Sequence, residues 1–148
     1  MGNLFDGLVN EVRLAEAERN RKAASEFKAG KKHLLEAYNR HEEMITKVVQ
    51  DFQAAVFPDC VVRCPSPKDA EQGNQVEWHI YRIVQSFGQR AICFRLALHP
   101  YCNALGKTFV GVKTSFEGSW SPLLFLSEFP LVFFIGANYR EYKERQSI

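Results

Sequence analysis

Hydrophobic residues follow a helical spacing in the first part of the chain. One stripe recurs at alternating intervals of four and three residues: Leu34, Tyr38, His41, Ile45, Val48, Phe52 and Ala55. Residues 1–57 contain no proline and are rich in Ala, Glu, Lys, Arg and Leu, which favour helix. We therefore predict a helical region over residues 1–57 that ends before Pro58 and buries the 34–55 stripe, either in the chain's own core or against a partner.

A second apolar stripe begins the chain and comprises Phe5, Leu8, Val9 and Val12. Gly30 lies between the two stripes, and glycine inside a helix costs about 1 kcal/mol relative to alanine. Two arrangements follow: a helical hairpin with a break near residues 29–32, or one long helix of roughly 50 residues, about 75 Å in length. The rest of the chain is too small to cover such a helix. A helix of this length therefore predicts self-association or a partner. The LFDGLVNEV segment either docks in a groove of another protein or closes the chain's own core.

The pattern changes to the alternation of β-strands in residues 58–148. Apolar residues occupy alternate positions in two successive runs, one with Val76, Trp78, Ile80 and Val84, the other with Ile92, Phe94, Leu96 and Leu98. We predict that these runs form a hairpin in which even-numbered residues pair with even-numbered ones. The predicted turn is Ser86, Phe87 and Gly88, with Gly88 in the left-handed conformation.

This hairpin places a set of polar and reactive side chains on one face of the sheet. His79, Tyr81, Arg95 and His99 all lie opposite the face that carries Trp78, whichever register within the parity rule is adopted. Cys93 and Ala97 are predicted on that same outer face. The alternation therefore predicts a polar outer surface as well as an apolar inner one.

Further segments complete the predicted fold. CVVRC, KTFVGVKTSF and SWSPLLFLS are expected to form strands. The last either begins late or lies at an edge of the sheet, because Pro122 cannot donate to the ladder. ANYREYKERQ is expected to form a short C-terminal helix. The predicted fold class is α+β: a long N-terminal helical region packed on an antiparallel sheet of four or five strands, followed by a short helix. Residues 1–57 and 58–148 together are expected to form one domain.

Composition and charge narrow the classes of function. Hydrophobic residues make up 46% of the chain and charged residues 24%, as in an ordinary soluble domain. The net charge of +2 argues against nucleic acid as a partner selected by bulk charge. No apolar run reaches the roughly 20 residues of a membrane span, and no signal-peptide pattern is present. We therefore predict a cytoplasmic protein without a membrane partner and, since phosphate-loop and dinucleotide motifs are missing, without a cofactor.

The cysteines raise the possibility of zinc. Cys60 and Cys64 of CVVRC, with His99 and Cys102 of HPYC, supply the ligand types that zinc prefers. Cysteines four residues apart on a strand are separated by about 13 Å, however, so one tetrahedral ion cannot bind both. We predict no metal site, and interpret Cys60 and Cys64 as small residues on a buried strand face.

The outer sheet face contains the candidate reactive residues. His79 and His99, with Glu77 or Cys102 nearby, are candidates for a metal or catalytic site, and Tyr81 and Arg95 for proton transfer beside them. The same face has a composition typical of single-strand nucleic-acid platforms, through Tyr81, Arg95, Lys113 and Phe109.

An ordinary polar sheet surface accounts for these residues equally well, and the sequence carries no catalytic motif. The predicted function is therefore non-enzymatic: a protein-interaction or assembly module that self-associates through its helices. Its partner is another copy of itself or another protein. The candidate binding residues are Leu34, Tyr38, Ile45, Val48 and Phe52. Single-stranded nucleic-acid binding and a small enzyme or metal site centred on His79 and His99 are the alternatives.

Overall fold

The structure is a computed structural model that describes residues 3–84, 88–125 and 130–146. Its elements, in chain order, are α1 Asp6–Val56, β1 Val61–Arg63, α2 Pro67–Gln72, β2 Val76–Val84, β3 Gln89–Cys102, β4 Thr108–Ser115, β5 Leu124–Phe125 and α3 Leu131–Gln146. The strands are antiparallel and lie side by side in the order in which they occur in the chain. The predicted α+β class is confirmed.

Helix α1 is continuous over 51 residues, so the predicted single long helix is correct and the hairpin alternative is wrong. Gly30 lies inside the helix at the point where it meets the end of β3. A Cβ atom added to Gly30 would lie 3.5 Å from the Cβ of Pro100, so the glycine lets helix and strand approach closely. The helix ends before Pro58, where the side chain of Gln53 donates hydrogen bonds to the carbonyl oxygens of Phe57 (3.0 Å) and Cys60 (2.8 Å).

The β2–β3 pair follows the predicted parity only in part. Val76 pairs with Leu98, Trp78 with Leu96 and Ile80 with Phe94, but the next pair is Tyr81 with Ile92. Cys93 is the extra residue of a β-bulge, which shifts the register by one residue. From Gln89 to Ile92, the residues of β3 therefore pair with β2 residues of the opposite parity to the predicted one. The bulge corrects two predictions: Ile92 lies on the outer face, 45% exposed, and the thiol of Cys93 contacts that of the buried Cys60, at 3.8 Å.

The predicted turn is confirmed in one respect. The last β2–β3 pair joins Val84 to Gln89, and Gly88 has a left-handed φ of 63°. Ser86 and Phe87 lie outside the described residues.

The core lies between the inner face of the sheet and the helices α1 and α3. Trp78, Phe94, Leu96 and Leu98 supply the sheet side. The indole N–H of Trp78 donates a hydrogen bond to the hydroxyl of Thr46 on α1 (3.0 Å), which ties the centre of the helix to the centre of the sheet. Every residue of α1 from 6 to 24 is exposed, whereas Gly30 is buried where the helix meets β3.

The C-terminal helix is longer than predicted. It begins at Leu131 rather than at Ala137, since Leu131 and Ile135 bury their side chains against the core. The side-chain amide of Asn138 donates a hydrogen bond to the hydroxyl of the buried Thr114 (3.0 Å). Among the described residues, no helix combines the length and the apolar character that crossing a bilayer requires.

Candidate functional site

The outer face of the sheet carries a hydrogen-bond chain that links both predicted histidines. Alternate residues of β2 and the segment before it point outward, and they connect in sequence. The ring Nε2 of His79 lies 3.1 Å from a carboxylate oxygen of Glu77. Gln75 donates to the other oxygen of Glu77 (3.2 Å), and the amide oxygen of Gln75 lies 3.0 Å from Nδ1 of His99. The chain therefore orients four polar side chains by mutual hydrogen bonds.

Trp120 covers the neighbouring part of this face. The guanidinium of Arg95 lies 4.4 Å from the centre of the Trp120 ring, and the ammonium of Lys113 lies 4.6 Å from it. Both distances are within the range of cation–π attraction. Ala97, which stands between Glu77 and Lys113 in the sheet, is fully buried.

The neighbours of Glu77 on this face keep its carboxylate ionised. Burial alone would raise the pKa of Glu77, but hydrogen bonds from Gln75 and His79, together with the charges of His79 and Arg95, lower it below its ordinary value. Arg95 approaches the Glu77 carboxylate at 3.6 Å. The carboxylate is thus held ionised by its neighbours, which leaves it poorly suited to take up a proton in catalysis.

His79 and His99 do not converge on one site. His79 pairs with Arg95, and His99 lies four residues farther along β3, which corresponds to about 13 Å. Glu77 and His79 line a cavity of about 320 Å³ beside α2, whereas His99 lines a different cavity beside α1. Within the described part of the chain, no three potential metal ligands cluster together.

The cysteines are arranged differently from the predicted buried pair. β1 comprises only Val61–Arg63, so Cys60 and Cys64 flank it rather than share one of its faces. Cys60 is buried, whereas Cys64 and Cys102 are exposed. The interpretation of Cys64 as a buried residue is therefore wrong.

The aromatic rings predicted to form a nucleic-acid platform each have a cation nearby. The guanidinium of Arg90 lies 4.8 Å from the Tyr81 ring, and the ammonium of Lys107 lies 5.2 Å from the Phe109 ring. Arg95 and Lys113 both turn toward Trp120. A base would have to stack beside these cations, and nucleic-acid binding stays a prediction.

Two partly buried histidines make the free energy of unfolding sensitive to mild acid. Burial, followed by the charge of Lys113, lowers the pKa of His99 below 6.5, and burial together with Arg40 lowers that of His41. The folded state therefore binds fewer protons than the unfolded state below pH 6.5. The contribution of both histidines to stability is complete above that pH and is lost as the pH falls through their lowered pKa values.

We expect His99→Asn to reduce this loss, because asparagine can donate to Gln75 without titrating. The loss attributable to His99 should be modest, since the ring is partly solvated and its charge is partly screened. Urea unfolding at pH 7.5 and at pH 5.5 measures this loss of unfolding free energy. Ordinary carboxylates stay ionised at both pH values. His41 remains as an internal reference, and equal losses in the variant and the native chain would contradict the assignment.

The helical stripe proposed for binding lies mainly against the chain's own sheet. Leu34 and Ile45 are fully buried and Tyr38 is 5% exposed, while Val48 and Phe52 are partly buried and pack against the same core. Phe52 contacts Phe94, with ring centres 5.0 Å apart. These side chains therefore present little surface to a partner.

The first stripe, in contrast, is uncovered. We call residues 6–24 the arm, which extends for about 28 Å at 1.5 Å per residue. We call Phe5, Leu8, Val9 and Val12 the arm stripe. Phe5 is 64% exposed, Leu8 56%, Val9 45% and Val12 47%.

A cavity lies where the arm joins the folded part of the molecule. We call it the β3 groove; its volume is about 410 Å³, and it opens between α1 and the end of β3. Ala23, Gly30 and Leu34 line it on the helix side, and Pro100 and Cys102 on the strand side. Its position could not be read from the sequence, because it depends on which turn of α1 meets Pro100.

Comparison with protein-family models, with curated proteins and with solved structures gives no match.

Proposed function

We propose that this protein is an assembly module that self-associates through its arm. The observation that carries the proposal is the arm stripe: Phe5 just before the helix and three large apolar side chains on one side of its first turns, in a segment where every residue from 6 to 24 is exposed. Soluble proteins normally bury such a stripe, since apolar surface left in water forfeits about 25 cal/mol per Å². A second copy provides the cover that the chain's own sheet does not.

The need for helix stabilisation supports the same conclusion. An isolated helix of the arm's length is marginal in water, because most helical stability in proteins comes from packing an apolar face. Every residue of the arm is exposed, so packing within one copy supplies little of that stability. Pairing would bury the stripes of both copies and stabilise the helix at the same time.

Sedimentation of the purified protein tests the proposal. We expect a monomer–dimer equilibrium in the micromolar range. Leu8→Asp with Val12→Asp should weaken it at least about a hundredfold, since burying two charges from each copy costs more than about 2.7 kcal/mol. Leu14→Asp is the matched control. Leu14 is 72% exposed and lies on the opposite side of the same helix, about 170° from the centre of the stripe.

Two sedimentation results would contradict the proposal in different ways. A native protein that stays monomeric at high micromolar concentration would overturn the proposal. An equally large effect of Leu14→Asp would show that the arm stripe is not the contact.

A further inference from the structure

We propose that the arm stripe of one copy docks in the β3 groove of a second copy, in an antiparallel dimer. This inference rests on the proposed function and specifies its interface. By two-fold symmetry the two stripes fill the two grooves at once, so the contact is closed and involves the same residues on both copies.

The stripe and the groove lie on the same side of α1. Projected at about 100° per residue, the arm stripe spans an arc of about 100°. Ala23, Gly30 and Leu34, the helix wall of the groove, fall within that same arc. Two antiparallel helices can therefore present stripe to groove at both ends of the contact without rotating about their axes.

Two small residues of the helix wall, Ala23 and Gly30, suggest how the two helices align along their length. If residue numbers facing each other add up to 35, Phe5 lies opposite Gly30 and Val12 lies opposite Ala23. Two of the four stripe side chains thus meet a residue with little or no side chain, which allows close helix packing at those two positions, while Leu8 faces Phe27 and Val9 faces Glu26.

Charge favours the antiparallel arrangement. Residues 6–18 carry four acidic side chains and one basic one, whereas residues 19–32 carry six basic side chains and one acidic one. Antiparallel pairing brings the acidic half of one copy beside the basic half of the other, and parallel pairing would bring like charges together. In the register above, Glu16 of each copy faces Arg19 of the other.

The sheet explains why the second helix stops at the groove. Beyond Gly30 this side of α1 is covered by the chain's own strands, with Leu34 fully buried. Helix α1 of the second copy begins at Asp6. In this register that beginning lies beside Ala29, at the edge of the part of α1 that the strands cover.

Cross-linking between two different chains tests the docking. One chain carries Leu8→Cys, Cys64→Ser and Cys102→Ser; the other carries Cys64→Ser and keeps Cys102, which is exposed and lines the groove. After mixing and treatment with a short bismaleimide, we expect a covalent heterodimer whose peptide map joins residues 8 and 102. A Leu14→Cys chain replaces the Leu8→Cys chain as the matched control, and this product should then be lost.

The result distinguishes this inference from the proposed function. A dimer in sedimentation that gives no more 8–102 product than the 14–102 control would overturn the docking and leave self-association intact. A monomer in sedimentation would overturn both.

Discussion

Replacing Trp78 with alanine should lower the free energy of unfolding by about 3 to 5 kcal/mol. Trp78 is fully buried, pairs with Leu96 in the middle of the sheet, and lies 6.2 Å from the Tyr38 ring between ring centres. The substitution leaves a cavity under α1 and removes the hydrogen-bond partner of the Thr46 hydroxyl. Typical domains have only about 5 to 15 kcal/mol of stability, so much of the total would be lost.

Trp120, the other tryptophan of the chain, is the matched control. It lies on the outer face, where Arg95 and Lys113 hold it by cation–π contacts. Trp120→Ala should cost about 1 kcal/mol, because it is partly exposed and its contacts are electrostatic. Urea unfolding followed by circular dichroism measures both losses, and similar losses for the two variants would contradict the assignment of Trp78 to the centre of the core.

The alternation of β2 and β3 could be read from the sequence because one face of the sheet is buried. Trp78, Ile80 and Leu96 lie on the predicted inner side, and His79 and Arg95 on the predicted outer side. The alternation failed at Ile92, where the bulge at Cys93 inserts one residue. A bulge is a property of how two strands pair, and a strand's own hydrophobic pattern does not contain it.

The helix was predicted correctly in its existence and only partly in its details. The buried face follows Ile45 and Val49, both fully buried, rather than Ile45 and Val48, because a straight helix repeats every 3.6 residues and drifts from a heptad. Gly30 suggested a break that does not occur. The glycine costs about 1 kcal/mol of helix stability, which is small beside the stability that the packing of a long helix provides. At Gly30 the missing side chain also allows Pro100 to approach the helix.

The candidate sites depended on contacts between distant segments. Nothing local in the sequence indicates that Trp120 lies across β3 and β4, or that Gln75 joins His99 to Glu77. The arm stripe, by comparison, is a short-range pattern and was visible at once. Periodicity shows that a face is apolar, but which surface covers it is decided by the tertiary structure.

Ile45→Asp and Leu8→Asp should separate the two halves of α1 most sharply. Ile45 is fully buried against the sheet, so an aspartate there places an unpaired charge in the core and should cost about 4 kcal/mol or more. Leu8 is 56% exposed. In dilute solution, where the monomer dominates, Leu8→Asp should change the free energy of unfolding by less than about 0.5 kcal/mol.

The same pair of variants should behave in the opposite way toward assembly. Leu8→Asp should remain folded and fail to dimerise, because the charge would enter the β3 groove of the second copy. Urea unfolding at low protein concentration and sedimentation at high concentration together measure both properties. An Ile45→Asp protein that stays fully folded would mean that α1 does not pack on the sheet as described. A Leu8→Asp protein that unfolds would mean that the arm folds back on its own core, since only a covered leucine can carry that much stability.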